Sequence, residues 1–268
     1  MIRRVTIGLA LVVVAVFVVW AIVPGMIAPG EPGTTDLLNT FASPSWAHPF
    51  GTDDLGRDVF DRVVHGTRSS ILVGLGATLI SLLLGGTVGL VCGLSRGWLG
   101  QALARVVDML MSFPGLLMAL TIISVVGSGS RNIALALGVA SLPAFARLVR
   151  GEVLRVRDQP FIDAAVGAGV RRSAIVIRHV IPNVAGAILA FAGIALGIDI
   201  IAASSLSFLG FGPALPAADW GSLIAGGRDS VSDAWWITFF PGLMVALVVL
   251  AVTRLSSRGG AGPLEPAA

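Results

Sequence analysis

Hydrophobic residues dominate six stretches of the chain, and each stretch has about the length of 20 residues that a helix needs to cross a bilayer. The polar positions gather between them in short connections and three longer ones. The six apolar stretches are 5–28, 69–95, 106–126, 132–150, 184–204 and 236–254. This pattern predicts an all-α membrane protein with six transmembrane helices.

The first long connection, residues 29–68, begins with a Pro- and Gly-rich segment and ends in an amphipathic pattern. Its apolar positions recur every four residues, at Leu55, Val59 and Val63. Thr52 is a candidate N-cap, and Asp58 and Arg62 have the spacing of a helical ion pair. We therefore expect an amphipathic helix on the outer surface that leads the chain into the second span.

The second long connection, residues 151–182, combines small residues with basic ones. After Pro160, the stretch 161–169 is predicted to form a short helix with Gly169 as its stop signal. Asp163, Ala164 and Ala165 lie on one turn of it, Arg171 and Arg172 follow, and Pro182 is expected to break or bend the start of the fifth span. Two interpretations remain open from these residues: a surface on which another protein pushes, or a basic loop that follows anionic lipid headgroups.

The third long connection, residues 205–235, carries aromatic residues that suit the membrane interface. These are Phe208, Phe211, Trp220, Trp235 and, just beyond it, Trp236. An anchored loop and an external surface for a partner or substrate are both compatible with this composition. The chain thus divides into residues 1–68 (first span and external loop), 69–254 (a five-helix core) and 255–268 (a tail).

The composition excludes a soluble domain, because 55% of the residues are hydrophobic and only 12% are charged, against about 25% charged in soluble proteins. Arg is distributed unequally between the two sides of the predicted membrane. Only five of the 18 basic residues fall in external segments: Arg57, Arg62, Arg68, Arg131 and Arg228. By the positive-inside rule, both termini and the 151–182 connection are expected to be cytoplasmic.

The sequence offers no candidate for catalysis, metal binding or nucleotide binding. All 18 basic residues are Arg, so the lysine of a nucleotide-binding P-loop is missing. The single Cys92 lies in an apolar run and is expected to pack, and the three His residues lack metal-ligand spacing.

Two acids and one proline in the predicted spans are candidates for residues that line or gate a transport pathway. These are Asp108, Pro114 and Asp199. For Asp199, a role in lining the pathway and a role as a buried, hydrogen-bonded structural acid are equally compatible with the sequence.

Four stretches resemble one family of transport proteins. DAAVGAGVRRSAIVIRHVIP is similar to the E-A-A-x3-G-x9-I-x-L-P motif of ABC importer permeases, with Asp163 in place of Glu and His179 in place of the first Ile. HPFGTDDLGRDVFDRVVHG (48–66), VVDMLMSFPGLL (106–117) and SSLSFLGFG (204–212) resemble the C-type permeases of dipeptide, oligopeptide and nickel importers. The resemblance covers about residues 48–252, and the tail lacks the ending expected in that family.

The resemblance implies a type I importer permease in the bacterial plasma membrane. Residues 161–169, which we name the coupling segment, would dock on a separate ATP-binding subunit that holds the ATP and Mg, so this chain itself would bind no cofactor and no nucleic acid. A homologous B-type permease and an external solute-binding protein would complete the importer, with di- or oligopeptides as cargo or, alternatively, nickel or another small solute. The implied coupling residues are Phe161, Asp163, Ala164, Ala165, Gly169, Arg171 and Pro182, and the implied external contacts are Asp53, Asp54, Arg57 and Asp58.

Two other classes of protein remain as alternatives. A secondary transporter or channel that works alone would be expected to show ionisable residues near the midplane and internal repeats, and we find few acids and no repeat. A membrane-embedded enzyme would need clustered catalytic groups at one depth, which the sequence does not offer.

Overall fold

A computed structural model describes residues 2–95, 97–214 and 217–257 of the chain, with the side chains of residues 2–4 excluded. Residues 258–268 of the predicted tail (255–268), which include Arg258, and Arg96 lie outside the described part. Within that part the secondary structure is helical, without strands. The helices are α1 Ile2–Ile22, α2 Pro24–Ile27, α3 Val59–Leu94, α4 Trp98–Leu110, α5 Gly115–Val126, α6 Ser130–Arg157, α7 Pro160–Gly167, α8 Arg172–Ile175, α9 Ile181–Leu206, α10 Trp220–Gly226 and α11 Trp236–Ser256.

Five helical stretches of the described chain are long and apolar enough to cross a membrane, and a bent pair of helices brings the number to six if it counts as one span. The five are α1, α3, α6, the continuous stretch Arg172–Phe211, which includes α8 and α9, and α11. A turn of π-helix joins α8 to α9 at Val176–Val180, and another extends α9 at Ser207–Phe211. The all-α, multi-span prediction is therefore confirmed.

The predicted third span, 106–126, is not a single straight helix. The chain stops being helical after Leu110, and α5 begins at Gly115 at an angle of 88° to α4. Pro114 occupies the N-cap position of α5. Its ring fixes its own φ and removes the backbone donor that a continuous helix would need there.

The predicted amphipathic helix and the second span form one helix of 36 residues, α3, and the start of that helix differs from the prediction. Asp58 is the N-cap, since its side chain accepts from the backbone N–H of Phe60 at 2.7 Å and of Asp61 at 3.2 Å. Thr52 is instead buried in the preceding loop, where its hydroxyl donates to the carbonyl of Asn39 and accepts from the N–H of Ala42. Asp58 caps the helix because its carboxylate is a stronger acceptor than the Thr52 hydroxyl for the N–H groups at the positive end of the helix.

The helices α3 and α6 approach each other closely along a seam of glycines. A Cβ added to Gly85 would lie 2.5 Å from the carbonyl oxygen of Leu142, and one added to Gly89 would lie 2.6 Å from that of Ala146. One turn further on, a Cβ on Gly93 would lie 2.6 Å from a methyl carbon of Val153. Backbone contact of this kind is the usual means of helix association in lipid, where no hydrophobic force drives it.

Aromatic residues close the end of the bundle that carries the two external connections. Trp220 and Trp236 are buried in a cluster with Phe17 of α1. The indole of Trp220 donates to the carbonyl of Val63 at 3.2 Å, and that of Trp236 donates to the carbonyl of Thr52 at 3.0 Å. These two indoles therefore pack inside the chain, whereas Trp235 is half exposed.

Candidate functional site

The coupling segment folds as predicted into a short helix, α7, with a defined beginning and end. Pro160 stands in the first turn, where its missing N–H costs nothing. At the other end, the N–H of Val170 donates to the carbonyl of Ala165 at 3.1 Å and that of Gly169 to Val166 at 3.0 Å. This is the Schellman pattern, and it requires the left-handed φ of +76° that Gly169 adopts.

One face of α7 is fixed to the ends of two spans. Ile162 is 4% exposed and lies in an apolar cluster with residues of α6, α8 and α9. Ala165 packs against the same cluster from the next turn. The buried members of this cluster are Val149, Val153, Val156, Ile162, Ile175, Val180 and Val184. The inner face of α7 is therefore packed against the adjacent ends of α6 and α9.

The opposite face of α7 is exposed and mostly apolar. Phe161 is 43% exposed and Val166 57%, and Asp163, Ala164 and Gly169 are exposed as well. Only Asp163 in this group carries a charge. An apolar surface on a polar connection is typical of a protein contact, and the small side chains allow a partner to approach the helix backbone.

The other predicted coupling residues lie beyond α7. Arg171 is exposed and precedes α8, and Pro182 is exposed in the first turn of α9. Of the break or bend expected at Pro182, no break occurs, because the preceding turn is π-helical and the N–H of Ile181 reaches the carbonyl of Val176. The carbonyl of His179 accepts from the side-chain amide of Asn183 at 2.6 Å, which compensates the backbone bond that a proline disturbs.

The three candidates for a pathway or gate do not converge. Asp108 forms an ion pair with Arg147 at 2.6 Å, with both side chains about half exposed. Pro114 lies at the break between α4 and α5. Asp199 is 1% exposed, and its two oxygens accept from Thr78 of α3 at 2.7 Å and Ser141 of α6 at 2.9 Å. In this structure Asp199 is a buried, hydrogen-bonded link between α3, α6 and α9.

The four residues predicted to contact an external partner mainly form hydrogen bonds and ion pairs within this chain. Asp53 is buried and accepts from the guanidinium groups of Arg57, at 2.7 Å, and Arg62. Asp58 binds His48 at 2.7 Å in addition to capping α3, so the predicted pair of Asp58 with Arg62 is wrong. Of the four predicted external contacts, Asp54 is the side chain that is largely free to meet a partner, at 56% exposure.

Sequence reasoning missed Asp219, which organises the second external loop. Its side chain accepts from the N–H of Ser222 at 2.8 Å, and Ser222 accepts in return from the N–H of Asp219 at 3.1 Å. Asp219 also accepts from the hydroxyl of Ser207 at 2.7 Å. Half of the signal was present, because Asp is a favoured N-cap residue at the start of a helix.

A helical bundle of five or six candidate spans, with a short helix packed against the ends of two of them, defines a multi-pass membrane protein. Residues 85–257 match the family of binding-protein-dependent transport system inner membrane components. The chain belongs to that family.

Named relatives agree with this assignment, and a solved structure has a similar fold. The chain is 34% identical to the dipeptide transport system permease protein DppC of Alkalihalophilus pseudofirmus over 91% of its own length and 81% of the relative's. It is 39% identical to the glutathione transport system permease protein GsiD of Pectobacterium atrosepticum, over 82% and 72% respectively. Its fold is similar to that of a chain of the inward-facing MetNI methionine ABC transporter, with a TM-score of 0.62 and 17% identity over 73% of this chain and 93% of that one.

Proposed function

We propose that this chain is the C-type permease of an ATP-driven importer for di- or oligopeptides and forms half of the translocation pathway. Relatives named for dipeptide and glutathione transport support the class of cargo. A homologous permease would supply the other half of the pathway, and an external solute-binding protein would deliver the peptide. ATP and Mg would be bound by a separate ATP-binding subunit, since this chain contains no Lys and therefore no P-loop.

The observation that carries the coupling role is the combination of the two faces of α7. Its inner face is fixed by Ile162 to the ends of α6 and α9, and its outer face presents Phe161, Ala164 and Val166 without cover. A groove of the ATP-binding subunit that closes on this outer face would move both spans together, and the pathway would switch sides. Phe161, Asp163, Ala164, Gly169 and Arg171 would form the contact, with Ala165 and Pro182 supporting it from behind.

A size series at Ala164 tests this proposal, because the residue is exposed on the outer face of α7. Ala164→Trp places bulk where a partner groove must fit, whereas Ala164→Ser serves as the matched small control. We expect Ala164→Trp to reduce ATP-driven uptake of a labelled dipeptide into vesicles by about tenfold or more, with Ala164→Ser near wild type. Co-purification with the ATP-binding subunit should fall in parallel.

Two results would contradict the proposal. One is an Ala164→Trp chain that retains the ATP-binding subunit and transports like wild type. The other is uptake by the purified chain in the absence of any ATP-binding subunit, which would indicate a transporter that works alone.

A further inference from the structure

A pocket of about 280 Å³ lies where the end of α3, the start of α4 and the last turns of α6 meet. The start of α4 comes close to the end of α3 there, since a Cβ added to Gly100 would lie 2.9 Å from the Cβ of Ser95. The pocket is at the same end of the bundle as α7, which follows α6 directly. The residues that line it are Cys92, Ser95, Gly97, Gly100, Gln101, Arg150, Leu154 and Arg157.

Two arginines supply the charge of this pocket. Arg150 and Arg157 lie about two helical turns apart on α6, so they face the same side of that helix. Among the described residues that line the pocket, none is acidic. Asp158 pairs with Arg157 at 3.4 Å from outside the pocket, and its side chain is 71% exposed, so solvent screens much of its charge. The pocket therefore keeps an excess of positive charge.

Arg150 holds most of that excess. The acid nearest to it in sequence, Glu152, pairs with Arg155 at 2.6 Å instead. The Nε of Arg150 is enclosed and has no hydrogen-bond partner, so a ligand in the pocket cannot use that atom. Its two terminal nitrogens are not enclosed, and they too have no partner among the described residues. These terminal N–H groups are the donors that Arg150 offers to a ligand.

Arg157 is held in position by the chain and keeps one terminal nitrogen for a ligand. Its Nη1 donates to the carbonyl of Gly93 at 2.9 Å, and its Nε donates to Asp158. Its Nη2 has no partner in the described part of the chain. The hydroxyl of Ser95 and the side-chain amide of Gln101 line the same pocket and add neutral donors. The pocket thus gathers several donors around one small volume.

We propose that this pocket binds a phosphate group and that an anionic phospholipid supplies it. A phosphate has several acceptor oxygens, so it can accept from two guanidinium groups at once. The neighbouring surface favours a membrane source, because Trp98 and Leu99 at the start of α4 are 79% and 49% exposed and tryptophan is enriched at the level of the headgroups. Basic pockets between helices on the cytoplasmic side are known to take anionic headgroups.

A soluble phosphate offers the same recognition chemistry, and the second experiment below separates the two sources. The proposal is independent of the coupling role of α7, because it concerns the contact of α3, α4 and α6 and is tested without an ATP-binding subunit. Either proposal can fail without the other.

The first experiment measures thermal unfolding of the full-length chain in nanodiscs of phosphatidylcholine, with and without phosphatidylglycerol. The choline cation offsets the phosphate of the first lipid, whereas the second lipid is anionic. We expect phosphatidylglycerol to raise the unfolding temperature by about 2–4 °C, and Arg150→Gln to lose most of that gain. Arg155→Gln, an equal loss of charge at an exposed site on the same helix, should keep it.

The design separates lipid binding from folding. The side chain of Arg150 has no hydrogen bond to lose within the described chain, and each variant is compared with itself in the two lipid mixtures. An equal gain in wild type and Arg150→Gln would overturn the proposal. So would an equal loss of the gain in Arg150→Gln and Arg155→Gln, because the lipid would then respond only to the net charge of this end.

The second experiment identifies the source of the phosphate, in a neutral detergent and a phosphate-free buffer. The probes are a short-chain phosphatidylglycerol and inorganic phosphate, and a short-chain diacylglycerol is the control without phosphate. We expect the phosphatidylglycerol to bind the full-length chain and the other two not to bind. Arg150→Gln should weaken this binding by about tenfold or more, and Arg155→Gln should not.

The possible outcomes are distinct. Binding of phosphatidylglycerol alone assigns the pocket to a lipid headgroup. Binding of inorganic phosphate as well, with the same dependence on Arg150, supports recognition of the phosphate group itself from either source. Binding of inorganic phosphate alone overturns the lipid as the source. Binding of neither probe, or equal binding of phosphatidylglycerol and diacylglycerol, overturns the proposal as a whole.

Discussion

Single residues show how burial decides the role of a charged side chain. Asp199 lies within a long apolar span, yet both of its oxygens accept hydrogen bonds from hydroxyls on other helices. Asp53, in the external loop, is equally buried and is paired with two arginines. In both positions the polar group is satisfied inside the chain, as burial in a medium without water requires.

Replacement of Asp199 tests its role as a link between helices. Asp199→Ala removes the acceptor of two interhelical bonds and should destabilise the protein by about 1 kcal/mol, given about 0.6 kcal/mol for each such bond in a membrane. Asp199→Asn should cost less because it keeps one carbonyl oxygen. Ser205→Ala is the control, since the Ser205 hydroxyl bonds only to the carbonyl of Ile201 in its own helix.

Thermal unfolding of the purified variants measures this effect. If Asp199→Ala abolishes uptake but unfolds at the wild-type temperature, Asp199 is a pathway residue and the structural role is refuted.

At the scale of elements, the seam between α3 and α6 is a contact between two helix backbones. Gly85, Gly89 and Gly93 follow one another at intervals of four residues, so all three face the same side of α3. Gly86 belongs to the same run of small residues, but a Cβ added there would meet nothing within 4 Å. Gly86 therefore differs from the three seam glycines only in the side of α3 on which it lies.

The seam predicts opposite results for two substitutions that look alike in sequence. Gly89→Ala should destabilise the protein by about 1–3 kcal/mol, because the added methyl meets the backbone of α6 and the helices must separate. Gly86→Ala should be neutral or stabilising, since it has space and raises helix propensity. Unfolding temperatures in a fixed detergent or nanodisc distinguish the two, and equal effects would show that α3 and α6 do not pack through this face.

For the whole molecule, the sequence predicts which end of the bundle faces the cytoplasm. The external connections and the coupling segment lie on opposite sides in that prediction, and the chain's one natural cysteine, Cys92, is buried. New cysteines at exposed positions can therefore report the two sides separately, in a background with Cys92→Ser.

Labelling with a membrane-impermeant maleimide measures the orientation. Asp54→Cys, at a side chain that is 56% exposed, should react in intact cells. Ala164→Cys should react only after the membrane is opened or in inverted vesicles. The reverse pattern would place α7 outside the cell and remove the basis for coupling to a cytoplasmic ATP-binding subunit.

The sequence predicted the features that depend on local chemistry. The apolar stretches predicted the spans, and Gly169 predicted the end of α7, because only a residue without a side chain adopts its φ readily. The sequence could not predict the partners of Arg62 and Asp58, because the side chain of Asp58 instead caps the helix and binds His48, and Arg62 instead pairs with Asp53 from the preceding loop. It also could not show that Trp220 and Trp236 are buried, because that depends on segments more than 150 residues apart in the chain.

The burial of these two tryptophans also has an optical consequence. The chain contains six tryptophans, of which Trp46, Trp98 and Trp235 are open to solvent. A water-soluble quencher such as iodide should remove the emission of the open indoles and spare Trp220 and Trp236. The residual, blue-shifted fluorescence then reports on the end of the bundle where these two indoles contact Val63 and Thr52, without any added dye.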